Sequence, residues 1–301
     1  MSLTDQLVQY LVTGVSIGAV YGLVGLGFAI IFNATGVINF AQGEFVMLGG
    51  MCAVAFTGLG MSLTVAALLS VAVVTVVGLM VERLAIRALP RASIITLIIA
   101  TIGASFVLKG GAKLLWGPEA VILPSFSGHE PVHIGAAGID PQRLWVMAVV
   151  LASVIGVQFF FKYTLTGKAM QACAINRSAA QLVGININRM VSLSFGLSAV
   201  LAAIGGIVLT PVTMMRYSQG ATFTLTGFLA AVVGGLGNGI GAVVGGIMLG
   251  VVEALAGGFV DVATSGLIHS GYSKAIALAV ALLVLWLRPQ GLLGRRERDS
   301  A

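Results

Sequence analysis

The chain has 301 residues, of which 58% are apolar and only 9% charged, with a formal net charge of +6 and a mean hydropathy of +1.06. An ordinary soluble domain is about 45–50% apolar and about 25% charged, so that class is excluded. The positive balance does not imply a nucleic-acid partner, because the basic residues collect at the ends of long apolar runs, where membrane orientation requires them.

In chain order, segments 11–32, 63–81, 94–115, 144–161 and 190–210 each approach the roughly 20 apolar residues that cross hydrocarbon, and 275–287 is a shorter one. Eleven of the sixteen basic residues fall in three strings: Arg83, Arg87 and Arg91; Lys162, Lys168, Arg177 and Arg189; Arg288, Arg295, Arg296 and Arg298. Loops rich in Lys and Arg stay cytoplasmic, so these strings set the topology. Segment 94–115 leads out and 144–161 returns, which puts 116–143, with its prolines and Glu119, Glu130 and Asp140, outside. Segment 162–189 is then a cytoplasmic loop long enough to dock a soluble partner. By the same parity 225–257, interrupted by Gly234, Gly235, Gly237, Asn238, Gly239 and Gly241, makes two short crossings. The N-terminus lies outside if 33–56 adds one full crossing and inside if it is re-entrant; Asp5, the sole charge ahead of the first run, favours outside. No basic n-region or cleavage site precedes that run, so no removable signal peptide is expected. The expected fold is all-α: one polytopic transmembrane domain over 1–301 with about 8–9 membrane helices, some short or broken.

Two Gly-interrupted regions, 33–50 and 234–258, occupy corresponding places in the two halves. Such pairs point to a substrate path, since non-helical backbone at membrane depth survives only where protein or a water-filled cavity surrounds it. Gly241, Gly245, Gly246 and Gly250 also make faces for close helix packing. Packing does not account for Asn39, Gln42 and Glu44, which are expected to line or gate a path. Glu44 and Glu253 are carboxylates set within apolar segments, where a charge costs about 2.5–3.5 kcal/mol even on the lenient insertion scale. Either could face the path. Glu44 could instead cap a half-helix, and Glu253 could reach the outer headgroups.

Enzyme chemistry is hard to find. Gly167-Lys168 is followed by Ala169, so no phosphate loop is formed. Cys52 and Cys173 are isolated, which makes neither a metal site nor a disulfide framework, and His129 and His133 lie in the proline-rich outer loop without a third ligand. Neither a cofactor nor catalysis is expected, and energy must come from an ion gradient or another subunit. Within 162–189 a short amphipathic helix is predicted over 177–183, stopped by Gly184. Its small face of Ala179, Ala180 and Val183, next to Asn176 and Arg177, suits insertion into a partner's groove; an ordinary surface loop is the alternative.

The segment 167–185 resembles the cytoplasmic coupling segment of permeases in branched-chain amino acid ABC importers, the H-type subunit of the leucine/isoleucine/valine system. Three further stretches are similar to that family's pattern: Thr35-Gly36-Val37-Ile38-Asn39-Phe40-Ala41-Gln42-Gly43-Glu44, Val233-Gly234-Gly235-Leu236-Gly237-Asn238 running into Gly241-Ala242-Val243-Val244-Gly245-Gly246, and Arg288-Pro289-Gln290-Gly291-Leu292-Leu293-Gly294. Gln42 departs from it, standing where many members have histidine, so a titrating role there is not carried over. The resemblance implies a type II-like importer in a bacterial inner membrane. Its partners would be a second, paralogous permease, two ATP-binding subunits that use the ATP, and a periplasmic binding protein. The substrate would be a branched-chain or related amino acid; urea or amides on the same architecture, and a self-sufficient secondary transporter, are the competing readings.

Overall fold

A computed structural model describes residues 3–89, 92–128, 130–134, 137–263 and 270–294. The chain folds into eleven α-helices among these residues: α1 Leu3–Thr35, α2 Gln42–Gly58, α3 Leu63–Val81, α4 Ile94–Trp116, α5 Pro141–Tyr163, α6 Leu165–Ile175, α7 Arg177–Leu182, α8 Ile187–Leu209, α9 Gly220–Gly234, α10 Gly239–Ala263 and α11 Ser273–Leu287. One antiparallel hairpin, Val132–Ile134 with Ala137–Ile139, departs from the all-helical expectation and lies in the proline-rich segment between α4 and α5. Six helices are long and apolar enough to cross a membrane: α1, α3, α4, α5, α8 and α10. The shorter α2 and α9 are abbreviated helices that the glycine punctuation anticipates, and α11 is the shorter apolar run over 275–287.

Local chemistry explains where several helices start. Ser93 accepts from the Thr96 N–H at α4, Asp140 from Gln142 at α5 with Pro141 behind it, Thr164 from Gly167 at α6, Asn176 from Ala179 at α7 and Asn186 from Arg189 at α8. Each side-chain oxygen satisfies one of the N–H groups that a helix leaves unpaired at its first turn.

Helix α1 runs through the middle of the bundle and is buried along most of its length. Its closest neighbour is α10, and the two backbones touch: a Cβ built on Gly18 would lie 2.6 Å from the Gly246 carbonyl oxygen, and one on Gly246 2.1 Å from the Gly22 nitrogen. Glycine here is a packing requirement, because in lipid helices associate by close backbone approach rather than by hydrophobic exclusion. By contrast α3, α4, α5 and α11 expose large apolar side chains such as Leu68, Phe106, Leu151 and Trp286, as lipid-facing or partner-facing helices do.

Polar ties show which ends share a face. Asn33 donates to the Gly237 carbonyl at 2.8 Å, Asn238 to that of Leu293 at 2.8 Å, Arg177 to that of Thr35 at 3.4 Å and Arg87 to that of Asn188 at 3.2 Å. The ends of α1, α3, α9 and α11 therefore meet α6, α7 and the start of α8 at one end, which carries the described members of all three basic strings. At the opposite end, a bridge between Val121 and Met215 joins the 117–140 segment to the α8–α9 connection, and a bond from Gln142 to the Val208 carbonyl at 3.0 Å joins the start of α5 to the end of α8. Arg91, Arg295, Arg296, Arg298 and His129 lie outside the described residues, as does the His133 side chain.

Candidate translocation site and docking surface

Helix α2 does not start at the bundle surface. Gly36, at φ 70°, ends α1, and the chain turns back so that Gln42 lies against Gly27. Gly27 precedes Thr35 by two helical turns, or about 12 Å at 1.5 Å per residue. The first turn of α2 is thus buried, and its polar groups need protein partners. They find them on two other helices. The Phe40 N–H donates to Thr101 of α4 at 3.1 Å, the Gly43 N–H to Thr224 of α9 at 3.0 Å, and Thr224 returns a bond to the Phe40 carbonyl at 3.2 Å. Asn39, buried, accepts from the Ala41 N–H at 3.1 Å and holds the turn, while its Nδ2 has no partner.

Gln42 and Glu44 then diverge. The Gln42 amide accepts from the Ser198 hydroxyl at 2.8 Å, donates to the Ser198 carbonyl at 3.4 Å and is fully enclosed. It ties α2 to α8 and faces protein on every side, so in this conformation it is a packing group and not a cavity wall. Glu44 is also fully buried. Its Oε1 accepts from Ser105 of α4 at 2.9 Å, and its Oε2 has no hydrogen-bond partner. That Oε2 packs on the first residue of α9: a Cβ on Gly220 would sit 1.9 Å from it, so only glycine fits. Helix α9 starts there without a side-chain cap. A carboxylate in the first turn of its own helix and against the N-terminus of a second is favoured by both helix dipoles, in keeping with the capping alternative, but in the interior rather than at the interface.

Glu253 sits fourteen residues into α10 and accepts from the Tyr21 hydroxyl of α1 at 3.0 Å. Both residues lie about 21 Å along their helices from the basic end. The carboxylate is held in the seam between α1 and α10.

Sequence reasoning passed over α4. Lys109 stands one turn beyond Ser105, half-buried. Lys113 lies over the Tyr217 ring, 5.6 Å from its centroid. The available signal was two lysines in the second half of an otherwise apolar span. Also missed was the junction of α3 and α8, where a π-helical turn, Glu82–Arg87, carries an ion pair of 3.1 Å between Arg87 and buried Glu82. Ser192 of α8 donates to Glu82 at 3.0 Å and is bonded by Arg87.

A cavity of about 630 Å³ opens at the basic end between α1, α5, α6 and the α9–α10 turn. Asn33, Gln158, Gln171 and Asn238 supply its polar lining, with Leu26, Ile30, Phe161 and Met170. Neither Asn39, Gln42, Glu44 nor Glu253 borders it. It connects the two Gly-interrupted regions through the Asn33–Gly237 bond instead.

The loop expected to hold one short helix holds two, α6 and α7. Asn176 caps α7, and Gly184 closes it at φ 87°: its N–H donates to the Gln181 carbonyl at 3.0 Å and that of Ile185 to Ala180 at 3.0 Å, a Schellman closure. Asn176, Arg177, Ala179 and Gly184 are exposed. Ala180 is not: at 3% exposure it packs into its own chain, which corrects its assignment to a partner-facing surface. The closure turns Ala180 inward. Ile175 (88%), Leu182 (89%) and Val183 (76%) face out instead.

A bundle with polar helix starts at its centre, backbone-tight helix seams and an exposed helical foot at one end is a multi-pass membrane permease. The family described as the branched-chain amino acid transport system / permease component matches residues 10–286. The chain belongs to that family. The high-affinity branched-chain amino acid transport system permease protein LivH of Salmonella typhimurium is 31% identical over 97% of this chain and 97% of its own length. BraD of Pseudomonas aeruginosa, described in the same words, is 29% identical over 97% of each. Among solved structures, PsaBC from Streptococcus pneumoniae in complex with Fab shares the fold, with a TM-score of 0.50 at 17% identity over 94% of this chain and 91% of that one.

Proposed function

We propose that this chain is the non-catalytic permease subunit of an ATP-driven ABC importer in a bacterial inner membrane, carrying branched-chain or related amino acids. The basic end is cytoplasmic. There one of two ATP-binding subunits grips α6 and α7, and at the opposite end a periplasmic binding protein releases the solute between this chain and a second permease. The observation that carries this reading is the foot itself. Ile175, Leu182 and Val183 are apolar side chains left open on a capped and closed helix, and Arg177 ties that helix to the last turn of α1. A helix with an open apolar face suits a groove on a partner, and the bond to α1 gives a route for movement into the bundle core. The family and the lack of a phosphate loop in the sequence support the same division of labour.

The test is a Leu182→Asp, Val183→Asp double variant, which changes only exposed side chains. Membrane insertion is expected to be normal, with loss of ATP-binding-subunit co-purification and of leucine uptake. Normal uptake would sink the docking assignment.

A further inference from the structure

We infer that the groove between the end of α3 and the start of α8 holds the headgroup of a monoanionic phospholipid, of the phosphatidylglycerol kind, with its phosphate between Arg87 and Arg189. Three features of the groove point to it: an opening lined by donors, a charge left over, and an apolar wall that leads away. None of them depends on which solute the chain carries.

The opening has a volume of about 410 Å³, many times the roughly 30 Å³ share of one water. Arg87, Asn186, Asn188, Arg189 and Ser192 line it with polar side chains, and Leu79 and Leu193 complete it. Arg87 is fixed in place by this chain. Its Nε donates to buried Glu82 at 3.1 Å, and its Nη2 to the Asn188 carbonyl at 3.2 Å and to Ser192. Its Nη1 bonds nothing among the described residues, and 42% of the side chain stays exposed. A guanidinium held in one position with a donor to spare is pre-organised for a phosphate oxygen.

Glu82 offsets Arg87, but it is buried and does not border the groove. Arg189 is exposed and makes no ion pair among the described residues. It stands in the first turn of α8, which carries no acidic residue, so the dipole of that helix disfavours its charge. One positive charge is left over, and a single anion offsets it. A zwitterionic phospholipid brings the same phosphate but sets a second cation beside two guanidiniums, which Coulomb repulsion opposes. A glycerol headgroup ends instead in hydroxyls that the Asn186 and Asn188 amides can bond. The apolar wall favours a lipid over a soluble anion or an acidic protein. Leu79 and Leu193 stay exposed in the groove, and Met80 and Leu84 continue that surface along α3. Apolar spans 63–87 and 187–209 both reach the basic end here, so the groove lies at headgroup level with acyl chains along α3. Basic pockets between membrane helices on the cytoplasmic side take anionic headgroups.

The test strips the assembled complex of lipid in detergent and counts adducts by native mass spectrometry. The probes are phosphatidylglycerol, phosphatidylcholine with the same acyl chains, and glycerophosphoglycerol, the headgroup without chains. One phosphatidylglycerol per copy of this chain is expected to bind about tenfold more tightly than phosphatidylcholine, and the free headgroup far more weakly than either. Arg189→Gln changes an exposed side chain. It is expected to weaken that one adduct by about tenfold, the scale of one charged hydrogen bond, and to leave phosphatidylcholine unchanged. Arg189→Lys, which keeps the charge, should recover part of the affinity. Arg288→Gln removes the same charge from the exposed end of α11 and should leave the adduct intact. Phosphatidylglycerol binding unchanged in Arg189→Gln, or weakened equally by Arg288→Gln, overturns the site. Two further results overturn the lipid as its occupant. Glycerophosphoglycerol binding as tightly as the lipid would make the ligand a soluble phosphodiester. Loss of ATP-binding-subunit co-purification in Arg189→Gln, with phosphatidylglycerol still bound, would give the groove to that subunit.

Discussion

Gly18→Ala is the sharpest test of the α1–α10 seam. The added Cβ would lie 2.6 Å from the Gly246 carbonyl oxygen and 2.8 Å from the Ile247 Cα, both backbone atoms that cannot rotate away. Relief requires the helices to part by about 1 Å, which forfeits a quarter to a half of each dispersion contact along the seam. Overpacking costs about 1–3 kcal/mol, and opposition from backbone puts this case at the upper end. Alanine returns about 1 kcal/mol of helix propensity, so the net destabilisation is about 2 kcal/mol. Gly196→Ala in α8 is the matched control. Its Cβ would meet the Leu79 Cδ2 at 3.6 Å and the Thr75 Cγ2 at 3.9 Å, both ordinary contacts, and the propensity gain should stabilise by about 0.5–1 kcal/mol. The assay is built in: Cys52 and Cys173 are free and buried, so a thiol-reactive dye reports thermal unfolding in detergent. Gly18→Ala should melt below wild type and Gly196→Ala at or above it. Equal shifts, or a Gly18→Ala protein as stable as wild type, would refute backbone contact as the basis of the seam.

Other outcomes follow from the same structure. Tyr21→Phe removes the donor to Glu253 and should destabilise by about 1–3 kcal/mol, the cost of a buried acceptor left unpaired; Glu253→Gln, which still accepts, should be milder in the same melt. Gly184→Ala forces a side chain onto φ 87° and should cost about 1–2 kcal/mol at the end of α7, read as faster hydrogen exchange at the Gly184 and Ile185 amides without loss elsewhere. A cysteine at exposed Ser178 should be labelled by an impermeant reagent only in inside-out vesicles and one at exposed Glu119 only in intact cells; reversed labelling would invert the orientation.

Much of the bundle was legible beforehand because lipid leaves few choices. Runs of about 20 apolar residues must be helices there, and the basic strings mark one end whatever the packing. The short α9 followed from Gly235 and Gly237, which break the helix at φ 108° and 88°, whereas α10 runs 25 residues through its own glycines and is not the short crossing expected; Asn176 with Gly184 framed α7 through capping chemistry that acts within one turn. Reading that loop as one helix failed for a related reason: α6 is held by Thr164 and by packing of Met170 and Cys173 into the core, which no local period announces.

The sequence by itself determined the class of the protein, where its apolar segments lie and which residues are too polar for lipid, since each depends on composition and on neighbours a few positions away. The tertiary structure decided what those polar residues do. Gln42 and Glu44 are two positions apart and look alike in sequence, yet Gln42 closes on Ser198 from α8 while Glu44 bonds Ser105 from α4 and packs its other oxygen against the start of α9. The same holds for Ala179 and Ala180, where one turn of helix and a Schellman closure put the first outside and the second in the core. Partners on other helices, far along the chain, fix the roles of Gln42 and Glu44, and only the packed chain brings them together.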